Sequence, residues 1–216
     1  MTSLVLRNVS LRSGARPLFA PLSATVPAGV VVSVTGPSGA GKSSLLAYAC
    51  GALPPGLIGC GDVQLGSESL NGLPPEERRL GLLFQDDLLF PHLSVANNLA
   101  FGMRKAAAPP SARRDRIAAA LESVGLGGFG QRDPATLSGG ERARVALLRV
   151  LLSEPRAILL DEPFSRLDPA SRAQTRAIVF AEIRSRSLPA LLVTHDAEDV
   201  AAAGGPVVEI EPAERR

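Results

Sequence analysis

The sequence contains few of the residues on which disulfide, metal and nucleic-acid chemistry depend. Its 216 residues include two cysteines, two histidines, one tyrosine and no tryptophan. The two cysteines, Cys50 and Cys60, indicate a reducing compartment and neither a disulfide framework nor a metal site. The net charge is only +2, and the arginines are spread along the chain without interleaved aromatic residues. We therefore expect no nucleic-acid partner.

The sequence also lacks any long apolar run. A membrane-spanning helix needs about 18 or more consecutive apolar residues, and no segment approaches that length. The opening residues, MTSLVLRNVS, alternate apolar and polar positions like a strand and do not have the layout of a signal peptide. Together with a hydrophobic content of 45% and a charged content of 20%, these features predict a soluble, folded, cytoplasmic chain.

Lysine is the scarcest of the common charged residues. Lys42 and Lys105 are the only lysines among 23 basic residues. A chain that uses arginine nearly everywhere and keeps lysine at position 42 indicates a need there for a compact ammonium group.

Strand and helix patterns alternate along most of the chain. The stretch through Val26 reads as short strands with turns, and Val30–Thr35 is a β-branched run typical of a strand buried on both faces. A helix is predicted at Lys42–Cys50. Further strands are predicted at Leu80–Gln85, Ala157–Asp161, Leu191–Thr194 and Val207–Ile210. This alternation predicts an α/β fold with a mostly parallel sheet and an N-terminal antiparallel β part.

The strand pattern disappears between Asp86 and Thr136. Helices are predicted there at Ser94–Lys105 and Ala112–Val124, with a short helical, glycine-rich stretch at Gly125–Gly130. We interpret residues 86–137 as a helical subdomain inserted into a core of residues 1–85 and 138–216.

A glycine-rich loop lies between the buried strand and the helix that follows it. The segment matches G-x-x-x-x-G-K-[ST] and consists of Gly36, Pro37, Ser38, Gly39, Ala40, Gly41, Lys42 and Ser43. Such glycines let successive backbone N–H groups surround phosphate oxygens, and the helix adds its positive end. Lys42 is predicted to reach the β- and γ-phosphates, and the Ser43 hydroxyl to bind Mg²⁺.

Two adjacent carboxylates follow a later strand. Asp161 ends the apolar strand AILLD, the arrangement that places an acid across from a phosphate loop and near its Mg²⁺. Glu162 lies just beyond and is predicted to deprotonate the water that attacks the γ-phosphate.

A second anion-binding device is predicted in the same chain. The segment Leu137–Glu141 precedes an amphipathic helix over Arg142–Leu152, and it places Ser138 and Gly140 at the start of that helix. One nucleotide has no use for two such devices in separate subdomains of one chain. We therefore predict a two-fold dimer in which each device meets the ATP of the other copy.

With these elements in view, the chain resembles the ATP-binding-cassette (ABC) ATPases. The segment Leu137–Glu141 resembles their signature sequence, and Ser165–Asp168 resembles their D-loop. The resemblance implies that Gln85 contacts the metal and the attacking water and that His195 contacts the γ-phosphate. It covers essentially the whole chain, with the elements in the family's order.

Two positions depart from the family's pattern. The family usually places an aromatic ring before the phosphate loop to stack on adenine, and Ser13 stands at that position. Stacking is worth on the order of 1 kcal/mol, so weaker adenine binding and looser base selectivity are expected. Arg166 stands where the D-loop often has a smaller residue.

The resemblance also implies a biological task. Residues Phe84–Met103 resemble those of import-type ABC subunits that serve small solutes such as thiamine, sulfate or molybdate. It implies transmembrane permease subunits and an extracytoplasmic solute-binding protein as partners, and a location on the inner face of the cell membrane. Two alternatives stay open: an ATPase of lipoprotein release or cell division, and a soluble ABC ATPase. The short stretch after Val207–Ile210 leads us to expect no C-terminal regulatory domain.

Overall fold

The computed structural model describes residues 2–103 and 109–213. Its strands are Leu4–Ser13 (β1), Arg16–Pro17 (β2), Leu22–Val26 (β3), Val31–Thr35 (β4), Leu57–Leu65 (β5), Glu68–Ser69 (β6), Leu80–Leu83 (β7), Ala157–Asp161 (β8), Ala190–Val193 (β9) and Val207–Glu209 (β10). Its helices are Lys42–Cys50 (α1), Pro75–Arg78 (α2), Val95–Gly102 (α3), Pro110–Ser123 (α4), Gly139–Leu152 (α5), Pro169–Ser185 (α6) and Ala197–Ala203 (α7).

Two sheets organise these strands. In one, the order is β2-β1-β5-β6 with β3 also paired to β1, and the pairings are antiparallel. In the other, the order is β10-β4-β9-β8-β7, and the pairs β10–β4, β4–β9 and β9–β8 are parallel. The predicted α/β class, with a mostly parallel sheet and an antiparallel N-terminal part, is confirmed.

The central strands of the parallel sheet consist mainly of apolar residues, and these residues are buried. Strand β8 is buried at its first four positions and β9 at all four, which fits continuous apolar runs. The antiparallel strands alternate instead, as in β3 with its buried–exposed–buried pattern. Each sequence pattern therefore matches the environment of its strand.

Strand β1 differs from the short N-terminal strands that the sequence predicted. It runs for 10 residues, and its pairing register shifts between Leu6 and Val9 against β3 and between Arg7 and Ser10 against β5. Asn8 has a φ of 47° at this bulge. The extra residue lets Leu6 and Val9 both point into the core although they are three positions apart.

Contacts divide the chain into two compact units. The first contains the residues up to Leu82, Arg156–Glu162 and the residues from Phe180 onward; the second contains Leu83–Pro155 and Pro163–Val179. Each has its own apolar cluster. The subdomain boundaries at 86–137 stay a prediction, and the second unit takes in more of the chain than that segment, including α5.

Several predicted element ends differ from the structure. Strand β7 ends at Leu83, so Gln85 lies two residues beyond it and not at its last position. Helix α5 starts at Gly139 rather than Arg142 because Ser138 caps it. In the stretch 125–130, the one helical element is a 3₁₀ turn that begins at Phe129. Helix α3 ends at Gly102, and Lys105, the predicted end, lies outside the described residues. Within the described ranges, no helix is long and apolar enough to cross a membrane.

Candidate nucleotide-binding site

The glycine-rich loop connects the end of β4 to the start of α1. Gly36 has a φ of 142°, and a β-carbon at this position would lie 2.7 Å from the carbonyl oxygen of Ile210. Both the conformation and the close approach exclude a side chain there. Gly41 has a φ of 89°, and its missing β-carbon would lie 3.2 Å from Leu18 Cδ1 and from Phe19 Cδ1. The loop is therefore held against the first sheet's hairpin by contacts that require glycine.

Lys42 is buried, with only 6% of its surface exposed. Its Nζ donates hydrogen bonds of 2.9 Å to the carbonyl oxygens of Gly36 and Pro37. Lysine is rarely buried without a partner, and here the backbone of the loop supplies the acceptors. The ammonium group is thus held within the loop, at the place where the phosphate-loop pattern predicts it.

Ser43 and Asp161 meet although they are far apart in sequence. The Ser43 hydroxyl donates a 2.9 Å hydrogen bond to Asp161 Oδ1. The surroundings raise the pKa of Asp161. Burial is the largest cause. The Ser43 hydrogen bond lowers the pKa, the neighbouring Glu162 raises it and Lys42 lowers it, without reversing the net effect. Burial thus disfavours the charge on this carboxylate, and a nearby cation would relieve that cost.

The pair fits the donor set that Mg²⁺ prefers. A hydroxyl and a carboxylate are hard oxygen ligands, and Mg²⁺ in nucleotide sites takes one or two protein oxygens and completes its shell with phosphates and water. Among the described residues, no three His, Cys, Asp or Glu side chains form a metal-binding group. Ser43 and Asp161 would supply two protein oxygens to Mg²⁺, and phosphate and water oxygens would complete its shell.

Glu162 has an unusual backbone conformation. Its φ is 46°, in the left-handed region that residues other than glycine rarely adopt. Its backbone N–H donates a 2.9 Å hydrogen bond to the carbonyl oxygen of Val193 at the end of β9. Strain of about 1–3 kcal/mol at such a residue is typical of functional sites.

Glu162 and His195 lie side by side. His195 Nδ1 is 3.2 Å from Glu162 Oε1, and the histidine side chain is 63% exposed. The sequence pointed to both residues but did not predict this contact. This contact follows from the strand order. Strands β8 and β9 are adjacent and parallel, and Glu162 and His195 lie just beyond their C-terminal ends.

Two residues behind His195 were not predicted. Thr194 is buried, and its Oγ1 donates a 2.9 Å hydrogen bond to Oδ2 of the buried Asp199 in α7. The backbone N–H of Asp196 donates to Thr194 Oγ1 at 3.1 Å. These bonds hold the turn that carries His195. The sequence signal is an acid five residues after a threonine that follows a strand, but many helices contain such an acid.

A cavity of about 600 Å³ lies beside the phosphate loop. On the loop side it is lined by Ser38, Gly39, Gly41, Lys42, Ser43, Ser44 and Glu162. On the other side it is lined by Ser13, Arg16, Leu18 and Leu57. Ligand sites are typically about 300–1,000 Å³, so this space can accept a nucleotide.

Ser138 begins α5 with a reciprocal cap. Its hydroxyl accepts from the Glu141 N–H at 3.3 Å, and its own N–H donates to Glu141 Oε2 at 2.6 Å. That backbone hydrogen bond, and then the Ser138 hydroxyl, lower the pKa of Glu141. Gly140 has a packing role as well: a β-carbon there would lie 3.1 Å from Ser171 Cβ in α6. These residues belong to the second unit.

Gln85 lies in an exposed bend of the second unit. The neighbouring Asp86 accepts a hydrogen bond from Arg166, an ion pair whose side chains are more than half exposed. Such exposed pairs are worth about 0–1 kcal/mol. Arg166 therefore connects the segment after β7 to the segment after β8 within this unit.

Asn98 organises the loop that follows Gln85. It is fully buried in α3, and its Oδ1 accepts from the Phe90 N–H at 2.8 Å. Its Nδ2 donates to the carbonyl oxygens of Phe90, Leu93 and Ser94, each at 3.1 Å. Asn98 was not predicted from the sequence, although a polar residue at a core-facing helix position was a usable signal.

The fold and the loop geometry define the chain as a phosphate-loop nucleotide-binding protein. A family model described as ABC transporter matches residues 19–165. The chain belongs to the ABC transporter family. It is an ATP-binding subunit of that family and an ATP hydrolase, as the sequence analysis predicted.

Named relatives extend over most of the chain. It is 47% identical to an uncharacterised ABC transporter ATP-binding protein, YnjD, of Escherichia coli (strain K12), over 92% of this chain and 91% of that protein. It is 42% identical to the thiamine import ATP-binding protein ThiQ of Rhizobium meliloti (strain 1021), over 86% of this chain and 77% of ThiQ. It is 39% identical to the maltose/maltodextrin import ATP-binding protein MalK of Photobacterium profundum, over 91% of this chain but 52% of MalK.

Proposed function

We propose that two copies of this chain enclose two ATP molecules at a homodimer interface and couple hydrolysis to the uptake of a small solute. One observation carries this proposal. The phosphate loop and the capped start of α5, both suited to bind anions, belong to different compact units of the chain. Each ATP is therefore bound by the phosphate loop of one copy and by Ser138 and Gly140 of the other.

The phosphate loop holds the triphosphate in this proposal. Backbone N–H groups from Gly36 to Ser43 surround the phosphate oxygens, and Lys42 turns its ammonium group from the loop carbonyls toward the β- and γ-phosphates. Ser43, Asp161 and Gln85 would hold Mg²⁺, and the ion would supply positive charge that offsets the negative charge of the phosphates.

Glu162 acts as the general base. Its carboxylate accepts a proton from the attacking water, a role worth about 10²–10⁴-fold in rate. His195, 3.2 Å from Glu162 Oε1, orients that carboxylate and contacts the γ-phosphate. The Val193 hydrogen bond fixes the backbone of Glu162 and so limits the directions in which its side chain can point.

The partner in this proposal is a transmembrane permease that carries a solute-binding protein on the outside. The relatives named for thiamine import and maltose/maltodextrin import support an importer. Three large apolar side chains of the second unit are also well exposed: Phe84 at 45%, Leu88 at 55% and Phe101 at 68%. Exposed apolar side chains that lie together are typical of a protein-binding surface. In this proposal Leu88 and Phe101, which are linked through Phe90 and Arg149, would hold the chain at the inner face of the membrane.

Contacts around Leu88 and Phe101 hold the proposed docking surface in place. The Phe101 ring packs against Phe90 at 4.6 Å between centroids. Arg149 donates to the Leu88 carbonyl oxygen at 2.7 Å and lies 5.6 Å from the centre of the Phe90 ring. A cavity of about 460 Å³ adjoins them, lined by residues that include Leu88, Leu89 and Pro91. A helix of the permease is the partner that fits this surface.

The test uses a tagged Glu162→Gln chain, which is expected to bind ATP without turning it over. The chain is expressed in its source cell, membranes are extracted in mild detergent with Mg²⁺-ATP, and the co-purifying proteins are identified. A multi-span membrane protein, together with a solute-binding protein, is the expected result. Recovery of soluble proteins alone, or of lipoprotein-release or cell-division components, contradicts the importer.

Matched variants separate docking from nucleotide binding. Adding Phe101→Ser is expected to reduce co-purification without changing ATP binding, whereas Val207→Ser, at a similarly exposed apolar residue of the first unit (51%), changes neither. Adding Lys42→Ala is expected to abolish ATP binding. Light scattering of the Glu162→Gln chain is expected to show a dimer with Mg²⁺-ATP, and a monomer at every ATP concentration would contradict the shared sites.

A further inference from the structure

The cavity beside the phosphate loop extends well beyond the loop. Four of its lining residues, Ser13, Arg16, Leu18 and Leu57, come from the antiparallel sheet or the segment just after β2. This side has no role in the phosphate chemistry proposed above. It is the part of the cavity left for the nucleoside.

Among the described residues that line this cavity, none has an aromatic ring. Purine rings in protein sites stack on flat groups, either aromatic side chains or the planar guanidinium of arginine. Arg16 carries the one guanidinium in the lining. The two leucines supply apolar edges but no flat surface. The chemistry of the lining therefore singles out Arg16.

The hairpin geometry places Arg16 suitably. In the β1–β2 pair, Ser13 and Arg16 are directly opposite each other across a turn at Gly14 and Ala15. Opposite residues of an antiparallel pair project from the same face, with Cβ atoms about 4.5–5.5 Å apart. Because Ser13 is small, it leaves room beside the long Arg16 side chain.

The hairpin is also fixed relative to the phosphate loop. Leu18, two residues after Arg16, approaches the loop so closely that a β-carbon at Gly41 would lie 3.2 Å from its Cδ1. Arg16 itself is exposed, and no ion pair ties it down within the part of the chain that the structure describes. Its backbone is anchored while its guanidinium can turn over the cavity.

We propose that the Arg16 guanidinium stacks on the purine ring of the bound nucleotide and that Ser13 leaves the space for it. This inference rests on the phosphate-loop site proposed above. Stacking uses the face of the ring, which every purine offers, and it does not read the ring's edge. The site therefore accepts ATP and GTP with dissociation constants within about threefold of each other.

The experiment measures binding by calorimetry in the Glu162→Gln background with Mg²⁺. The ligands are ATP, GTP and inorganic tripolyphosphate, which has no base. Arg16→Lys keeps the positive charge but removes the planar guanidinium. The dissociation constants of ATP and GTP are therefore expected to rise at least about fivefold, while that of tripolyphosphate changes less than about twofold. Arg16→Tyr supplies a planar, uncharged aromatic ring and is expected to recover ATP binding. Arg7→Lys, at an exposed arginine of β1 outside the cavity, is the matched control.

The outcomes separate this inference from the site on which it rests. Equal binding of ATP by the parent and Arg16→Lys chains overturns the stacking role, as does an equal loss for ATP and tripolyphosphate, which would show that the guanidinium contacts the phosphates and not the base. ATP binding more than tenfold tighter than GTP also overturns it. Lys42→Ala is expected to lose both ATP and tripolyphosphate; if it binds both normally, the phosphate-loop site itself is wrong.

Discussion

Arg78 is a buried arginine whose removal is expected to loosen the end of the helix that follows the phosphate loop. Only 8% of the residue is exposed. Its Nη1 donates to the carbonyl oxygens of Tyr48 at 3.0 Å and Ala49 at 2.8 Å, and its Nε donates to Leu73 at 2.9 Å. Tyr48 and Ala49 lie in the last turn of α1, where carbonyl groups have no partner inside the helix.

The magnitude follows from these bonds. In Arg78→Met, the methionine keeps most of the apolar stem, but the carbonyl groups lose their charged donor. The Tyr48 oxygen still accepts from the Gly51 N–H at 3.1 Å, so the main loss falls on Ala49 and Leu73. A buried group that loses its partner costs about 1–3 kcal/mol.

The cost of burying the guanidinium offsets part of that loss. Burial lowers the pKa of Arg78, which shows that its charge is disfavoured there. We expect a net destabilisation of about 3 kcal/mol, or roughly 6–12 °C in Tm for a chain of this size.

The assay is urea unfolding followed by circular dichroism, with thermal unfolding alongside it. Arg78→Lys keeps one donor and is expected to recover part of the loss, while Arg114→Met, at an exposed arginine of α4, is expected to change stability by less than about 0.5 kcal/mol. A change below about 1 kcal/mol for Arg78→Met would refute the argument that these carbonyl groups depend on the arginine.

Three further perturbations test other parts of the structure. Because hydrogen bonds lower the pKa of Glu141 in the folded chain, its ionised form stabilises the fold above its unfolded pKa of about 4.3, and this stabilisation is lost as pH falls through the lower folded pKa. Glu141→Gln is therefore expected to be less stable than the parent in urea at pH 7, and the difference should close toward pH 3; a constant difference would argue against the titration. Thr194→Val leaves the buried Asp199 without its 2.9 Å hydroxyl donor, so we expect about 2 kcal/mol less stability and a fall in kcat larger than any rise in KM; Thr194→Ser should behave like the parent, and an unchanged kcat would refute the positioning role. Asn98→Leu removes four hydrogen bonds to the 90–94 loop and is expected to cost about 2–4 kcal/mol and expose that loop to proteolysis, whereas Asn97→Leu at the exposed neighbour should do neither.

The elements near the phosphate loop could be predicted because their signals are local. A buried strand, a glycine-rich turn and a helix follow one another within about twenty residues, and each has its own pattern. Helix α1 begins and ends where it was predicted. The order of strands and helices likewise identified the α/β class, since a parallel sheet requires that alternation.

What could not be predicted depends on contacts between distant segments. The bulge at Asn8 and the left-handed backbone of Glu162 reflect pairing with other strands, and neither residue type demands such a conformation. Arg78 looks like a surface residue in sequence because nothing local shows which carbonyl groups it will meet. Asn98 occupies a core-facing helix position, but its partners in the 90–94 loop follow from the tertiary structure alone.

The strand that leads into the phosphate loop has a consequence for how the protein is made. Strand β4 lies between β9 and β10, and Val31 pairs with Ala190. A ribosome therefore completes β4, the loop and α1 long before either neighbouring strand exists. Contacts of such long range form slowly, so the apolar β4 is exposed through much of synthesis, and the emerging chain is most open to aggregation or chaperone binding in that interval.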